Sequence, residues 1–145
     1  MIRVYLDTCC FNRPFDEQFL LKVRLETQAK LSIQQMVLEK RLELAWSFIL
    51  EYENEQNPAT ERRLRISLWQ SIAVIDCDLC DEVLAQSRFL TELGLDEKDA
   101  YHIACAIFAK CNFFITTDRK ILNKAISSIR VVSPIEFVYL TEGSI

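Results

Sequence analysis

Apolar positions along this chain fall into two periods. Five short runs, Ile2 to Leu6, Leu42 to Trp46, Ile72 to Cys77, Phe113 to Thr116 and Ile129 to Val132, are nearly continuous and bounded by polar residues, the pattern of strands covered on both faces. Between them the spacing lengthens to that of helices. After a loop at Asn12-Arg13-Pro14-Phe15, Asp16 is placed to cap a helix reaching about Lys40, with Leu20, Val23, Leu31, Val37 and Leu38 as its buried stripe. A helical turn over Phe48 to Glu55 follows the second strand, and Asn57-Pro58 opens a further helix with proline at its first position. Asp78 opens a helix that stops at Gly94, Asp96 caps the next, about Glu97 to Lys110, and Asp118 begins a short one through Ala125. Strands alternating with helices predict an α/β fold of three layers, α/β/α, with a mostly parallel central sheet of four or five strands joined by right-handed crossovers.

Composition agrees with short loops and a full core. Half of the 145 residues are hydrophobic and 26% charged, with only two glycines and three prolines, so one domain is expected over 1–145. A chain of this length hides roughly 70% of its extended surface and needs no disulfide or zinc staple. The six cysteines are irregularly spaced and two are adjacent, Cys9 and Cys10, which points to reduced thiols in a cytoplasmic protein. No apolar run approaches the ~20 residues of a membrane span, and Arg3-Val4-Tyr5-Leu6 reads as a strand rather than part of a leader. A net charge of −4 excludes a broad basic surface for nucleic acid or anionic membrane, so contacts with phosphate must be local.

In an open parallel sheet, ligands bind beyond the carboxyl ends of the strands, and several residues at those ends are acidic. Asp7 follows the first strand, Glu51, Glu53 and Glu55 follow the second, and Asp118 follows the fourth. The helix that begins at Asp96 and Asp99 opens on the same edge. Each acid also has a plain structural reading: Asp118 as a helix cap, Asp96 and Asp99 as a capping pair, Glu53 as part of a solvated charge run. A bare carboxylate after a central strand, as at Asp7, is harder to explain that way. Acids gathered in one cleft repel and raise each other's pKa, and the ordinary remedy is a divalent cation. Oxygen donors suit Mg²⁺ or Mn²⁺, which activate water for displacement at phosphorus.

Four stretches, Val4-Tyr5-Leu6-Asp7-Thr8, Ser47 to Glu53, Asp99-Ala100-Tyr101-His102-Ile103-Ala104 and Phe114-Ile115-Thr116-Thr117-Asp118, together resemble the PIN domains. The resemblance implies an endoribonuclease that hydrolyses RNA with a Mg²⁺- or Mn²⁺-activated water and no covalent enzyme intermediate. Carried across, the four acids are Asp7, Glu53, Asp99 and Asp118, with Asp7, Asp99 and Asp118 on metal and Glu53 on metal or its water. Glu51 is the alternative second acid. Thr117 or Thr116 matches the family's hydroxyl beside the last acid. The size is most similar to the VapC-like toxin ribonucleases of bacterial toxin–antitoxin pairs, which implies a homodimer and a small antitoxin protein that silences the acidic groove. The stretch Cys9 to Asp16 departs from the plain apolar helix start expected there.

Arg13, Thr117, Arg119 and Lys120, with Lys124, are the candidates for gripping RNA locally, while Arg62, Arg63 and Arg65 form the densest basic cluster, within reach of Glu55 and Glu61. Phe15, Phe19, Trp69, Phe137, Tyr139 and Leu140 include candidates for an apolar patch, the last three in a chain end placed along the sheet edge. Other readings of the same residues are a zinc set of Cys77, Cys80, His102 and Cys105, His102 as a general base against His102 as a buried, hydrogen-bonded histidine, and a phosphoryl enzyme on Asp7. The last lacks the acid two residues on, where Cys9 stands. A non-catalytic RNA- or protein-binding module of the same fold is the reading from a different class.

Overall fold

The computed structural model describes residues 1–143. Its sheet has five strands, β1 (Arg3–Leu6), β2 (Glu43–Ser47), β3 (Ile75–Cys77), β4 (Phe113–Ile115) and β5 (Arg130–Val132), all parallel and in the order β3-β2-β1-β4-β5. Eight helices surround it: α1 (Thr8–Asn12), α2 (Leu21–Leu38), α3 (Phe48–Glu55), α4 (Thr60–Ile72), α5 (Asp81–Glu92), α6 (Glu97–Phe108), α7 (Arg119–Leu122) and α8 (Pro134–Thr141). This is the three-layer α/β/α arrangement expected from the alternation. α5 packs on α6, α2 packs on α8 and on α1, and α3 touches both α4 and α6. No helix among the described residues is long and apolar enough to cross a membrane.

β1 holds the sheet together because it pairs on both sides, Val4 with Leu44 and Phe113, and Tyr5 with Ala45 and Phe114. Val4, Tyr5 and Leu6 have no exposed surface, which is what a near-continuous apolar strand in the middle of a parallel sheet requires. Tyr5 stacks on Phe114, and Phe11 from α1 meets the Trp46 ring edge to face. The chain leaves β1 toward β2 on one side and returns to β4 on the other. That reversal makes the carboxyl ends of β1 and β4 the crevice where such sheets bind ligands.

Local chemistry sets most element ends. Asp7, Ser47, Asp96, Asp118 and Ser133 each accept a backbone N–H at the start of a helix. Gly94 ends the α5 segment with φ of +98°, a conformation that favours glycine, and a Cβ there would stand 2.8 Å from Lys124 Nζ.

Several boundaries and faces differ from the sequence pattern. Asp16 caps no helix, because the chain first makes α1 and a 3₁₀ turn at Arg13–Phe15, and α2 starts only at Leu21. Of the expected stripe on α2, Leu20, Leu31 and Leu38 face solvent, whereas Glu26, Lys30, Ile33, Gln34, Met36 and Val37 are buried. Arg13 enters from the 3₁₀ turn to meet Glu26, so that face is fixed by an ionic contact that apolar periodicity does not register. Pro58 lies before the helix it was expected to open, and α4 continues through Ile72, which shortens β3 to Ile75–Cys77. α5 begins at Asp81, three residues after Asp78. The chain end forms α8 instead of running along the sheet edge: Phe137 is buried against Phe113, while Tyr139 and Leu140 face out. Phe19 is exposed, Phe15 marginally so, and Trp69 is half-buried against the core.

Candidate active site

The register that joins β1 to β4 builds the site directly. Asp7 N–H donates to the Ile115 carbonyl at 2.9 Å, so the residues following the two strands emerge side by side. Asp7 is 6% exposed and each oxygen of its carboxylate is anchored by a short bond, Thr8 N–H donating to Oδ1 at 2.8 Å and the Thr116 hydroxyl to Oδ2 at 2.8 Å, which leaves lone pairs on both. Thr116 Oγ1 in turn accepts the Asp118 N–H at 3.0 Å. One buried hydroxyl therefore links the first and fourth acids. Of the two candidate threonines, Thr116 makes this link, while the Thr117 hydroxyl accepts a bond from Arg13 Nη2 at 2.9 Å.

Glu53 reaches the same place from α3. Its Oε1 accepts from the Thr8 hydroxyl at 2.8 Å and from His102 Nε2. Glu51 points to solvent, so the structure brings Glu53, not Glu51, beside Asp7. His102 is buried on α6, with Nδ1 2.7 Å from the Tyr5 hydroxyl, which lies 2.6 Å from Ser47 Oγ. The buried, hydrogen-bonded reading of His102 describes its surroundings. With the Nε2 proton directed at Glu53, the neutral ring accepts from Tyr5 and the charged ring donates to it. Both ring nitrogens are thus engaged away from the cysteines, and Cys77, Cys80 and Cys105 are free thiols.

Electrostatics follow from this packing. Burial works against a charged His102, but the hydrogen bond it donates to Glu53 and the negative charges of Asp7, Glu53 and Asp99 outweigh it and raise the imidazole pKa. Glu53 shifts the other way: burial opposes its charge, yet the His102 hydrogen bond and charge, and the Thr8 hydroxyl, hold its carboxyl below the usual range. Asp99, in the first turn of α6, is pushed up to about 7 by burial and then by the charges of Asp96, Asp7 and Asp118. Two chain-distant acids, Asp7 and Asp118, therefore act on it along with its helix neighbour Asp96.

The basic candidates divide. Arg13 is already committed within the protein, to Thr117, to Asp16 at 3.1 Å and to the buried Glu26 at 3.3 Å. Arg119 and Lys120 stand exposed on α7 beside Asp118. In the cluster on α4, Arg62 reaches the Phe15 carbonyl at 2.8 Å, Arg63 the Asn57 carbonyl at 3.0 Å, and Arg65 pairs with Glu61 at 3.0 Å. Thr8, Tyr5 and Ser47 form part of the site but are absent from the sequence-derived candidates. Their one signal is placement: Tyr5 and Asp7 alternate out of one strand, and Ser47 caps the helix that bears Glu53.

A family model for the PIN domain matches residues 4–126. The chain belongs to the PIN domain family. All four acids lie inside the matched stretch. Solved structures share the fold: a VapBC2 complex from Rickettsia felis bound to a DNA fragment from its promoter is 14% identical, with a TM-score of 0.61 over 90% of this chain and 97% of that one. A toxin–antitoxin complex from Klebsiella pneumoniae is 18% identical, with a TM-score of 0.59 over 90% and 97%. VapBC-1 from nontypeable Haemophilus influenzae is 14% identical, with a TM-score of 0.55 over 92% and 98%. No curated protein matches the sequence.

PIN nucleases generally use divalent metal ions, so the fit of this site to one matters. Among the described residues, no three Asp, Glu, His or Cys side chains stand close enough together to hold an ion between them. The donor chemistry fits nonetheless. Asp7, Asp99 and Asp118 offer oxygen only, and the raised Asp99 marks an excess of negative charge that a cation would relieve.

Proposed function

We propose that this PIN domain is a Mg²⁺- or Mn²⁺-dependent endoribonuclease, the toxin of a toxin–antitoxin pair. The observation that carries the reading is the juxtaposition at the switch point of the sheet, where Thr116 ties the Asp7 carboxylate to the backbone of Asp118 and Glu53 meets Thr8 beside them. Asp7, Asp99 and Asp118 would hold the cation. A cation there supplies an activated water at neutral pH and offsets charge developing at phosphorus. Thr116 fixes the Asp7 carboxylate relative to the backbone of Asp118. Glu53, oriented by His102 and Thr8, aligns the attacking water. Arg119 and Lys120 contact the RNA backbone, while Arg13, through Thr117, braces the loop that presents Asp118. A small antitoxin as partner and a homodimer as the working form complete the proposal, drawn from the family resemblance and from the neighbouring complexes.

One observation favours a non-catalytic binding module of the same fold, namely that among the described residues no three ligand side chains close on one point. Cleavage of mixed single-stranded and hairpin RNAs in Mn²⁺ or Mg²⁺ decides between them. The nuclease reading expects cutting that EDTA abolishes and that Asp118→Asn lowers at least about 100-fold. RNA binding without cutting, together with a melting temperature indifferent to Mn²⁺, selects the binding module.

A further inference from the structure

Beside the acidic site, on the far flank of α1 and the 3₁₀ turn, a groove of about 270 Å³ opens between that segment, α2 and α4. Phe11, Phe15 and Trp69 contribute its aromatic walls, Lys30 and Gln34 its polar floor, and Arg65 its rim. The floor is unusual. Lys30 is 3% and Gln34 5% exposed, so both are withdrawn from solvent. Gln34 Nε2 is buried without a hydrogen-bond partner. The Lys30 ammonium lies 5.5 Å over the Phe11 ring, and no carboxylate stands among the groups that act on it; burial, opposed weakly by the Cys10 thiol, lowers its pKa to about 8. Buried donors without acceptors are costly. Gln34 Nε2 is one such donor, and the Lys30 ammonium, one turn away on the same helix and lining the same groove, has an aromatic ring rather than a carboxylate beside it; together they describe a place where an acceptor is expected from outside.

The shape and lining restrict what that acceptor belongs to. The volume is at the small end for ligand pockets, enough for one ring system. Aromatic walls favour a flat π-face, as in proteins that hold unstacked bases of single-stranded nucleic acid. The Lys30 ammonium and the unpartnered Gln34 amide N–H favour two neighbouring acceptors. Guanine presents such a pair at O6 and N7, whereas adenine sets an amino donor beside N7 that would face the ammonium. Arg65 at the rim, 64% exposed along its side chain, is placed for a phosphate.

We propose that this groove is a guanine-base subsite, with Lys30 and Gln34 reading the O6/N7 edge between aromatic walls. As a subsite for a strand it rests on the ribonuclease reading and supplies the base preference of that same activity. The test is made on the whole protein in EDTA, so that cleavage plays no part. GMP, 7-deaza-GMP, AMP and short single strands bearing one G or one A are titrated while Trp69 emission is followed. Guanine ligands are expected to bind at least about 10-fold more tightly than adenine or 7-deaza ligands. Lys30→Met and Gln34→Leu, each close in volume, are expected to lose that preference while keeping a cooperative thermal transition. GMP binding as tightly as the G-containing strand assigns the base site to free nucleotide; tighter binding of the strand assigns it to RNA. Equal binding of G and A ligands, or a preference that survives in both folded variants, overturns the proposal. Failure of the nuclease reading would appear separately, as absent metal-dependent cutting with guanine binding intact.

Discussion

Removing one charge from the acidic cluster should stabilise the metal-free protein, and Asp99→Asn is the variant that shows it. The Asp99 carboxyl is raised from 3.8 to about 7, by burial first and by Asp96, Asp7 and Asp118 after it. For a fully buried group such a displacement is worth about 4 kcal/mol between the charged and neutral forms. Asp99 is only partly buried, and solvent screening reduces this to about 1–2 kcal/mol. Its place in the first turn of α6 returns about 0.5 kcal/mol of favourable dipole interaction. The net gain at pH 8 is therefore about 1 kcal/mol, roughly 3 °C in melting temperature for a chain of this size. Because the folded pKa is raised, ionisation opposes folding. Wild-type stability on account of Asp99 falls as pH rises from the ordinary carboxylate range through about 7. Thermal melts in EDTA should show Asp99→Asn above wild type at pH 8, with the gain shrinking steadily as pH falls toward the ordinary carboxylate range, where Asp99 is protonated in the folded and unfolded chain alike. A variant equal to or below wild type at pH 8, or a gain unchanged at low pH, would refute the claim that the acids converge on Asp99.

Two further predictions concern groups that support the site. Tyr5→Phe removes a buried hydroxyl that lies 2.6 Å from Ser47 and 2.7 Å from His102, and should lower stability in urea by about 1–3 kcal/mol; a neutral variant would mean that the chain from Ser47 to Glu53 is not a working unit. Arg13→Ala leaves Glu26, 2% exposed, without its cation, and should cost about 3 kcal/mol. The double variant with Glu26→Gln should recover more than half of that loss, and urea midpoints that fail to recover would assign the cost to the contacts with Asp16 and Thr117.

What was legible in the sequence was whatever rests on residues close in the chain. Continuous apolar runs marked all five strands, and side chains that accept a neighbouring N–H marked the starts at Asp96 and Asp118. The alternation of elements implied a parallel sheet, and acids placed just after strands pointed to its carboxyl edge. Spacing alone left Glu51 and Glu53 undecided, and likewise Thr116 and Thr117, because helix residues two apart and neighbouring residues of an extended chain point in opposite directions, and which of them faces inward is set by packing. Tertiary structure chose between them: α3 turns Glu53 toward Thr8 and His102, and the pairing of β4 with β1 and β5 turns Thr116 inward to Asp7. The buried face of α2 belongs to the same class. Glu26, Lys30 and Gln34 look like solvent positions in a linear pattern, and only the arrival of Arg13 and the aromatic walls from α1 and α4 makes them interior. Local patterns record which groups a segment can satisfy by itself; they hold no information on partners brought in from tens of residues away, and those partners determine where each acid points and which polar groups are buried.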